Sequence, residues 1–551
     1  MKMIRSALFM TFACAACSSD PNAANEASNA PHETTKDSAS EGAVGIVSEA
    51  VAPAWTGTWS VSPQSSGTTF NDQTLRQIVH TSISGTAARI QISNAFGSQP
   101  LVVRDVHIAQ QSSGSSITSG TDHVVTFGGQ GSITVAVGAV AVSDSIALAV
   151  NSLTNYAVSF YLPQATGPAT SHQQGTQTNY VASGDVAGNG TLSGASTNGS
   201  YYFLVNLDVQ NTASLGAVVT LGASITDGVA SSQDSNRRWP NDLAVRLVNS
   251  GRAVGVLNQG ISGNQLLSDG AGQSALHRFS RDALNQPGVK WVIFSDDPIN
   301  DLGSGNRPTG DQLIAGLQQL VTSAHQAGLK FLCSTLTPFQ GSGGWSTQGE
   351  TARAQINAFI RGANSGCDGI VDQDTATHDP SNPTMYLPAY DAGDHLHPNE
   401  AGLQAIANAV DLNLFSATTT TPVVSFRAHA NGMYVTAENA GASALIANRT
   451  AIGGWEQFDE LDQGGGNIAL RAHANGKYVT AENAGASSLI ANRTAIGLWE
   501  TFQLIHNGDG SVSMKAAVNG DYVTAESAGS QPLIANRTAI GPWEEFDLLN
   551  E

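Results

Sequence analysis

Trp-Glu recurs three times at one interval of 44 residues, as Trp455-Glu456, Trp499-Glu500 and Trp543-Glu544. The text around it recurs as well. Tyr-Val-Thr-Ala-Glu starts at Tyr434, Tyr478 and Tyr522, and Asn-Arg-Thr-Ala-Ile-Gly starts at Asn448, Asn492 and Asn536. Each unit alternates apolar and polar residues and reads as β throughout. A unit this short cannot bury its own core, so its neighbours must complete it. Three such units closing on a pseudo-threefold axis predict a β-trefoil over 423–551. Phe502 with Leu504, and Phe546 with Leu548, share one strand face and are expected in the core. By period-two parity Trp499 and Trp543 face the opposite way, toward solvent. An exposed indole beside a carboxylate suits a sugar ring, which stacks its apolar face and offers hydroxyls to the acid.

The region 213–415 has a different period. Val218–Leu221, 255–257, Val289–Phe294, 331–334 and Gly369–Val371 read as short buried strands, with helical patterns at 311–326 and 351–363 between them. Alternating strand and helix implies a parallel sheet covered on both faces. Active sites in such sheets lie at the carboxyl ends of the strands.

Four short motifs come in one order, the first three directly after predicted strands and the last just before a predicted helix. They are Gly222-Ala223-Ser224-Ile225-Thr226-Asp227-Gly228, Asn258-Gln259-Gly260-Ile261-Ser262-Gly263-Asn264, Pro298-Ile299-Asn300-Asp301 and Asp394-His395-Leu396-His397-Pro398. Acyl transfer needs an activated nucleophile, a base and donors for the developing oxyanion. Ser224 stands at a strand-to-helix turn as the candidate nucleophile. Its own N–H, the Gly263 N–H and the Asn300 side-chain amide are the candidate oxyanion donors. His397 is the candidate base, and Asp394 the carboxylate that fixes its tautomer. Pro398 is expected at the first position of the following helix. His395 is a competing base with Ala392, not an acid, three residues before it. His80, His277, His325 and His378 carry no motif and read as surface or structural groups.

These four blocks resemble the SGNH, or GDSL-type, hydrolase family of esterases, lipases and carbohydrate deacetylases. The resemblance implies a flavodoxin-like α/β fold, the four namesake residues Ser224, Gly263, Asn300 and His397, the triad acid Asp394, and neither a cofactor nor a metal. Two positions depart from the family pattern. Ala223 stands where the family usually has the Asp that helps to hold the nucleophile turn. Pro298 stands where the third block usually has Gly, and proline fixes φ and removes an N–H. The repeats resemble fascin-like β-trefoils, including bacterial modules that bind β-glucans. That resemblance implies carbohydrate contacts at Trp455, Glu456, Trp499, Glu500, Trp543 and Glu544.

Residues 53–212 alternate as short strands separated by Gly, Ser and Asn turns, which predicts a β-sandwich. The expected architecture is therefore a multidomain chain: an α/β flavodoxin-like hydrolase domain, preceded by the sandwich and followed, after a linker at 416–422, by the trefoil. Residues 1–17 have a basic start and a short apolar run. Spanning a bilayer takes roughly 17–25 apolar residues, so this run reads as a signal peptide. Ala15-Ala16-Cys17 resembles a lipoprotein cleavage site with Cys17 lipidated, although Cys14 stands where that pattern usually has Leu. Residues 18–52 are small and polar and are expected to be a disordered tether.

The formal net charge of −20 argues against nucleic acid and against electrostatic docking on an anionic bilayer. A lipid anchor is then the expected membrane link, and the expected location is the outer membrane or cell surface, otherwise secretion. Cys333 and Cys367 are the cysteines left after the signal, either joined in an oxidising compartment or free and buried. The sequence thus points to an exported serine esterase acting on a polysaccharide or another ester. Two alternatives stay open: a non-catalytic glycan-binding lipoprotein disabled at Ala223 and Pro298, and a lipase whose trefoil binds protein.

Overall fold

The computed structural model describes residues 54–305, 307–416, 422–464 and 466–550. The signal segment with Cys17, the tether at 18–52 and most of the 416–422 linker lie outside these residues. Among the described residues no helix is long and apolar enough to cross a membrane.

In the N-terminal region two antiparallel sheets share one buried cluster. One sheet has four strands in the order Trp55–Ser60, Leu204–Gln210, Ala87–Ser93, Val140–Val142. The other is built around Gln73–His80, Asn155–Leu162 and Leu101–Ser113. The expected alternation explains the core: Ala88, Ile90 and Ile92 point inward and are fully buried, while Arg89 and Gln91 point outward. A third, small sheet joins Gln64–Ser65, Thr170–His172 and Tyr201–Tyr202.

The α/β region holds five parallel strands in the spatial order Val254–Gly260, Gly216–Gly222, Val289–Phe294, Lys330–Ser334, Gly369–Val371. In chain order this is 2-1-3-4-5, the order of flavodoxin-like doubly wound sheets. Helices α1 (Ser224–Asp227), α2 (Trp239–Asn249), α3 (Ala275–Phe279), α4 (Asp297–Gly303), α5 (Gly310–Gln326), α6 (Thr347–Arg361), α7 (Gln373–Thr377) and α8 (Glu400–Ala409) follow the strands. Helix α5 shows why the periodicity was legible. Leu313, Leu317, Leu320, Val321 and Ala324 form one buried stripe, and a capping box between Thr309 and Gln312 opens the helix. Cys333 and Cys367 are joined by a disulfide that ties the fourth strand to the approach of the fifth.

The C-terminal region is a barrel. Strands Val423–Ala428, Phe458–Gly464, Asn467–Ala472, Phe502–His506, Val512–Ala516 and Phe546–Asn550 pair in sequence, and the last returns to pair with the first. Each repeat adds one hairpin, such as Tyr434–Ala437 with Leu445–Arg449. Phe458, Phe502 and Phe546 are fully buried at equivalent positions, and Leu504 and Leu548 pack against their cluster.

Candidate active site

Strand Gly216–Gly222 is buried throughout, and the chain leaves it straight into helix α1 at Ser224. The turn is tight enough to demand a glycine. A Cβ on Gly222 would lie 2.1 Å from Thr226 Oγ1 and 2.5 Å from Asp296 Oδ1. Ser224 is 8% exposed, and its N–H is the first of a helix, with no acceptor a turn before it.

His397 Nε2 lies 2.9 Å from Ser224 Oγ. On the other side of the ring, Nδ1 lies 2.6 Å from Asp394 Oδ2. The Leu396 and His397 N–H groups donate to Asp394 Oδ1 at 3.0 and 2.9 Å. Burial alone would push the Asp394 carboxyl up. The bonds from the His397 ring and the two N–H groups outweigh it and hold the carboxyl below its ordinary value. Residues 173 apart in sequence thus form one hydrogen-bonded relay.

Gly263 has φ +79°, a conformation that favours glycine. The Asn300 amide donates one N–H to the Asn264 carbonyl at 2.8 Å, which joins the second block to the third. Pro298 lies in the first turn of α4, where a missing N–H leaves no gap in the hydrogen bonding. The fixed φ of Pro298 therefore fits the helix that carries Asn300. Pro398 does not open α8 as expected: Asn399 is the cap, its Oδ1 accepting from the Gly402 N–H at 3.1 Å, and Pro398 lies outside the helix. His395 also differs from expectation. It has an acid, four residues back rather than three: Asp391 Oδ2 lies 2.5 Å from its Nδ1. The bond from His397 to Ser224 distinguishes the two histidines. His80, His277, His325 and His378 face Asn155, Asp269, Asp368 and Asp374.

Three residues to which the motifs gave no role hold the blocks together. Asp296, 2% exposed, accepts from Ala223 N–H at 2.9 Å, Ile225 N–H at 2.7 Å and Thr226 Oγ–H at 2.6 Å. A carboxylate between the third strand and α4 thus grips the nucleophile turn beside Ala223. Arg278 is fully buried and donates to Gly222 O at 3.0 Å, Gln259 O at 2.6 Å, Asn264 Oδ1 at 3.0 Å and Ser62 Oγ at 2.9 Å. Asp227 bridges Ser262 and His172. The nearest signal in the sequence was the Asp296-Asp297 pair at the end of a predicted strand.

Residues 220–405 match the model of the GDSL-like Lipase/Acylhydrolase family. The α/β region is a GDSL/SGNH acylhydrolase domain. No curated protein matches the chain. Among solved structures, a putative acylhydrolase from Bacteroides fragilis is similar at 20% identity, over 36% of this chain and 86% of its own, with a TM-score of 0.28. A single-residue variant of Axe2, an acetyl xylan esterase from Geobacillus stearothermophilus, is similar at 21% identity over 37% and 96%, with a TM-score of 0.29. The designed threefold symmetric protein ThreeFoil is similar at 24% identity over 23% and 97%, with a TM-score of 0.22.

Beside the acylhydrolase relay lies a cavity of about 230 Å³, lined in part by Gly263, Ile299, Asn300, Phe339 and Leu396. Two of the three expected oxyanion residues, Gly263 and Asn300, therefore line one small pocket whose wall mixes Ile299, Phe339 and Leu396 with Gln265, Ser304 and Ser342. On the barrel, Trp455 and Trp543 are 39% and 37% exposed, and Arg493 lies over the Trp499 ring at 5.7 Å. The glutamates depart from the sugar-contact expectation. Glu456, Glu500 and Glu544 are 5%, 6% and 5% exposed, and their Oε2 atoms accept the Gly453, Gly497 and Gly541 N–H groups. They close the turn that precedes a strand instead of standing free beside the indole. Also on the barrel, His429, Asp509 and Glu545 bring possible metal-ligand atoms within 4.8 Å of one another.

Proposed function

We propose that this protein is an exported serine esterase that deacylates a carbohydrate or another ester. The observation that carries the reading is the Ser224–His397–Asp394 relay, with its 2.9 and 2.6 Å contacts. Ser224 Oγ attacks the ester carbonyl while His397 Nε2 takes its proton, and Asp394 steadies the imidazolium. The tetrahedral oxyanion accepts from the Ser224 N–H, the Gly263 N–H and the free N–H of the Asn300 amide, each worth on the order of 2.7–4 kcal/mol in the barrier. His397 then gives its proton to the departing alkoxide, leaving an acyl-serine. A water, deprotonated by His397, attacks that ester and releases the acid. The grip of Asp296 on the turn beside Ala223, and Pro298 in the first turn of α4, support a working site over a degenerate one.

The pocket beside Asn300 is smaller than the roughly 300–1,000 Å³ common for drug-sized ligands and suits a short acyl group. The barrel with its three hairpins is read as a β-trefoil whose Trp455, Trp499 and Trp543 stack on a glycan, including β-glucan. Three weak sites on one module raise avidity for a polymer. The Cys333–Cys367 disulfide supports an oxidising compartment. Export, with Cys17 as the lipid anchor or else as part of a cleaved signal, completes the reading. Hydrolysis of p-nitrophenyl acetate, abolished in Ser224→Ala, tests the enzyme. Wild type and variant equally inert would refute it. Retention on insoluble β-glucan, lost in a triple Trp→Ala variant, tests the barrel, and no retention of wild type would refute that part.

A further inference from the structure

The N-terminal region places a buried histidine behind the nucleophile. His172 ends the strand Thr170–His172 and is 2% exposed. Its Nε2 lies 3.1 Å from Asp227 Oδ1 and 3.1 Å from the Gln174 carbonyl oxygen. Its Nδ1 lies 3.1 Å from the Ser62 carbonyl oxygen. The ring is thus fixed on the β side through Ser62 and Gln174 and faces a carboxylate of the acylhydrolase domain on the other.

That carboxylate has a particular place. Asp227 is the last residue of α1, the helix that Ser224 opens. Its second oxygen, Oδ2, accepts from the Ser262 N–H at 2.9 Å and the Ser262 Oγ–H at 2.6 Å. Ser262 directly precedes Gly263. One carboxylate, 1% exposed, therefore spans the nucleophile helix and the oxyanion turn. Ser62 reinforces the link: its Oγ accepts from Arg278, which also donates to the Gly222 and Gln259 carbonyls of those two turns.

We propose that His172 is a positioning residue of the esterase: by orienting the Asp227 carboxylate, the N-terminal β region sets the spacing between Ser224 and the Gly263 N–H. The proposal rests on the esterase reading above. An oxyanion donor works only at about 2.7–3.1 Å from the oxyanion, and a misplacement of about 1 Å can cost on the order of 100-fold. The oxyanion forms only in the reaction, so the loss falls on kcat and leaves KM nearly unchanged. Part of the geometry of the site is then built from the β region.

The test uses the full chain and p-nitrophenyl acetate, with thermal unfolding of every variant. In His172→Gln the side-chain amide stands where Nε2 was and can still donate to Asp227. In His172→Asn it stands near the Nδ1 position and falls short of Asp227. Tyr201→Phe, in the strand that pairs with that of His172, removes a 2.6 Å bond to the Ile78 carbonyl of another sheet and controls for simple loss of stability. The expected result is a kcat lowered about 10–100-fold in His172→Asn, with KM within about threefold. His172→Gln should recover most of that kcat, and Tyr201→Phe should melt earlier with kcat intact. His172→Asn combined with Asp227→Asn should be no slower than the slower single variant, because both act through one carboxylate. Equal kcat in the Asn and Gln variants, or losses that multiply in the double variant, would overturn the proposal. An inert wild type would instead overturn the esterase reading, and this proposal with it.

Discussion

Replacing Asp296 by asparagine changes one oxygen into an NH2 group and nothing else in size. In the native site Oδ1 accepts from Ala223 N–H and Thr226 Oγ–H, and Oδ2 accepts from Ile225 N–H. Asn keeps one acceptor oxygen. If that oxygen takes the Oδ1 place, the new NH2 faces the Ile225 N–H, donor against donor, in a site without solvent. An unsatisfied buried N–H costs about 1–3 kcal/mol. The two surviving bonds also lose charge assistance and about half their strength. The total is about 3 kcal/mol, and at about 2–4 °C per kcal/mol for a domain of this size the melting temperature should fall by about 6–12 °C. Because the same bonds hold the turn of Ser224, kcat on p-nitrophenyl acetate should fall at least about tenfold. Differential scanning and steady-state kinetics on one preparation read both effects. A melting temperature within about 2 °C of wild type, with kcat unchanged, would refute the argument. Ala223→Asp gives a contrasting check. It restores the usual family residue but places a second carboxyl in a fully buried position beside Asp296, so it should destabilise and slow the enzyme. A gain in activity would show that Asp296 does not fill that role.

Asp297 is fully buried with Oδ2 unpartnered, and burial pushes its carboxyl up to about 7 against the pull of Arg278. The native state therefore holds this proton more tightly than the unfolded chain, whose aspartates titrate near about 4. The resulting stability is complete below that value and is lost as pH rises through about 7. Melting temperature should fall from pH 5 to 8, and less steeply in Asp297→Asn; parallel profiles would contradict the assignment. The Cys333–Cys367 bond closes a loop of 34 residues, so a Cys333→Ala, Cys367→Ala variant should lose about 4 kcal/mol in denaturant unfolding if chain entropy dominates. On the barrel, Glu500→Ala strips an acceptor from the Gly497 N–H and the Thr480 hydroxyl and should cost about 2–3 kcal/mol. Trp455→Ala, at an exposed site, should change stability by less than about 0.5 kcal/mol while weakening glycan retention. The opposite pattern would return the sugar-binding role to the glutamates.

The parallel strands were legible because each is a short apolar run, and α5 and α6 because their buried residues recur every three or four positions. Ser224, His397 and Asp394 were legible because an Asp-x-x-His turn and a Gly-x-Ser turn are local patterns. The roles of Asp296, Asp227, His172 and Arg278 were not, because their partners lie far away in the chain: 55 residues separate His172 from Asp227, and 216 separate Ser62 from Arg278. No local period records such bonds. The barrel glutamates were misread for another reason. The resemblance placed them beside the indoles as sugar contacts, whereas Glu500 and Glu544 share the period-two parity of the buried Phe502 and Phe546 and have their oxygens taken by the Gly497 and Gly541 N–H groups. The Asp391 partner of His395 was not legible because it lies four residues back, across a turn in which His395 itself adopts φ +61°.

Covalent labelling by a small organophosphonate, read by intact mass and peptide mapping, tests the central claim most directly. A relay that activates Ser224 predicts one adduct per chain, on Ser224, formed in step with loss of p-nitrophenyl acetate hydrolysis and absent in Ser224→Ala and His397→Ala. An adduct on another residue, or labelling that persists in Ser224→Ala, would contradict it.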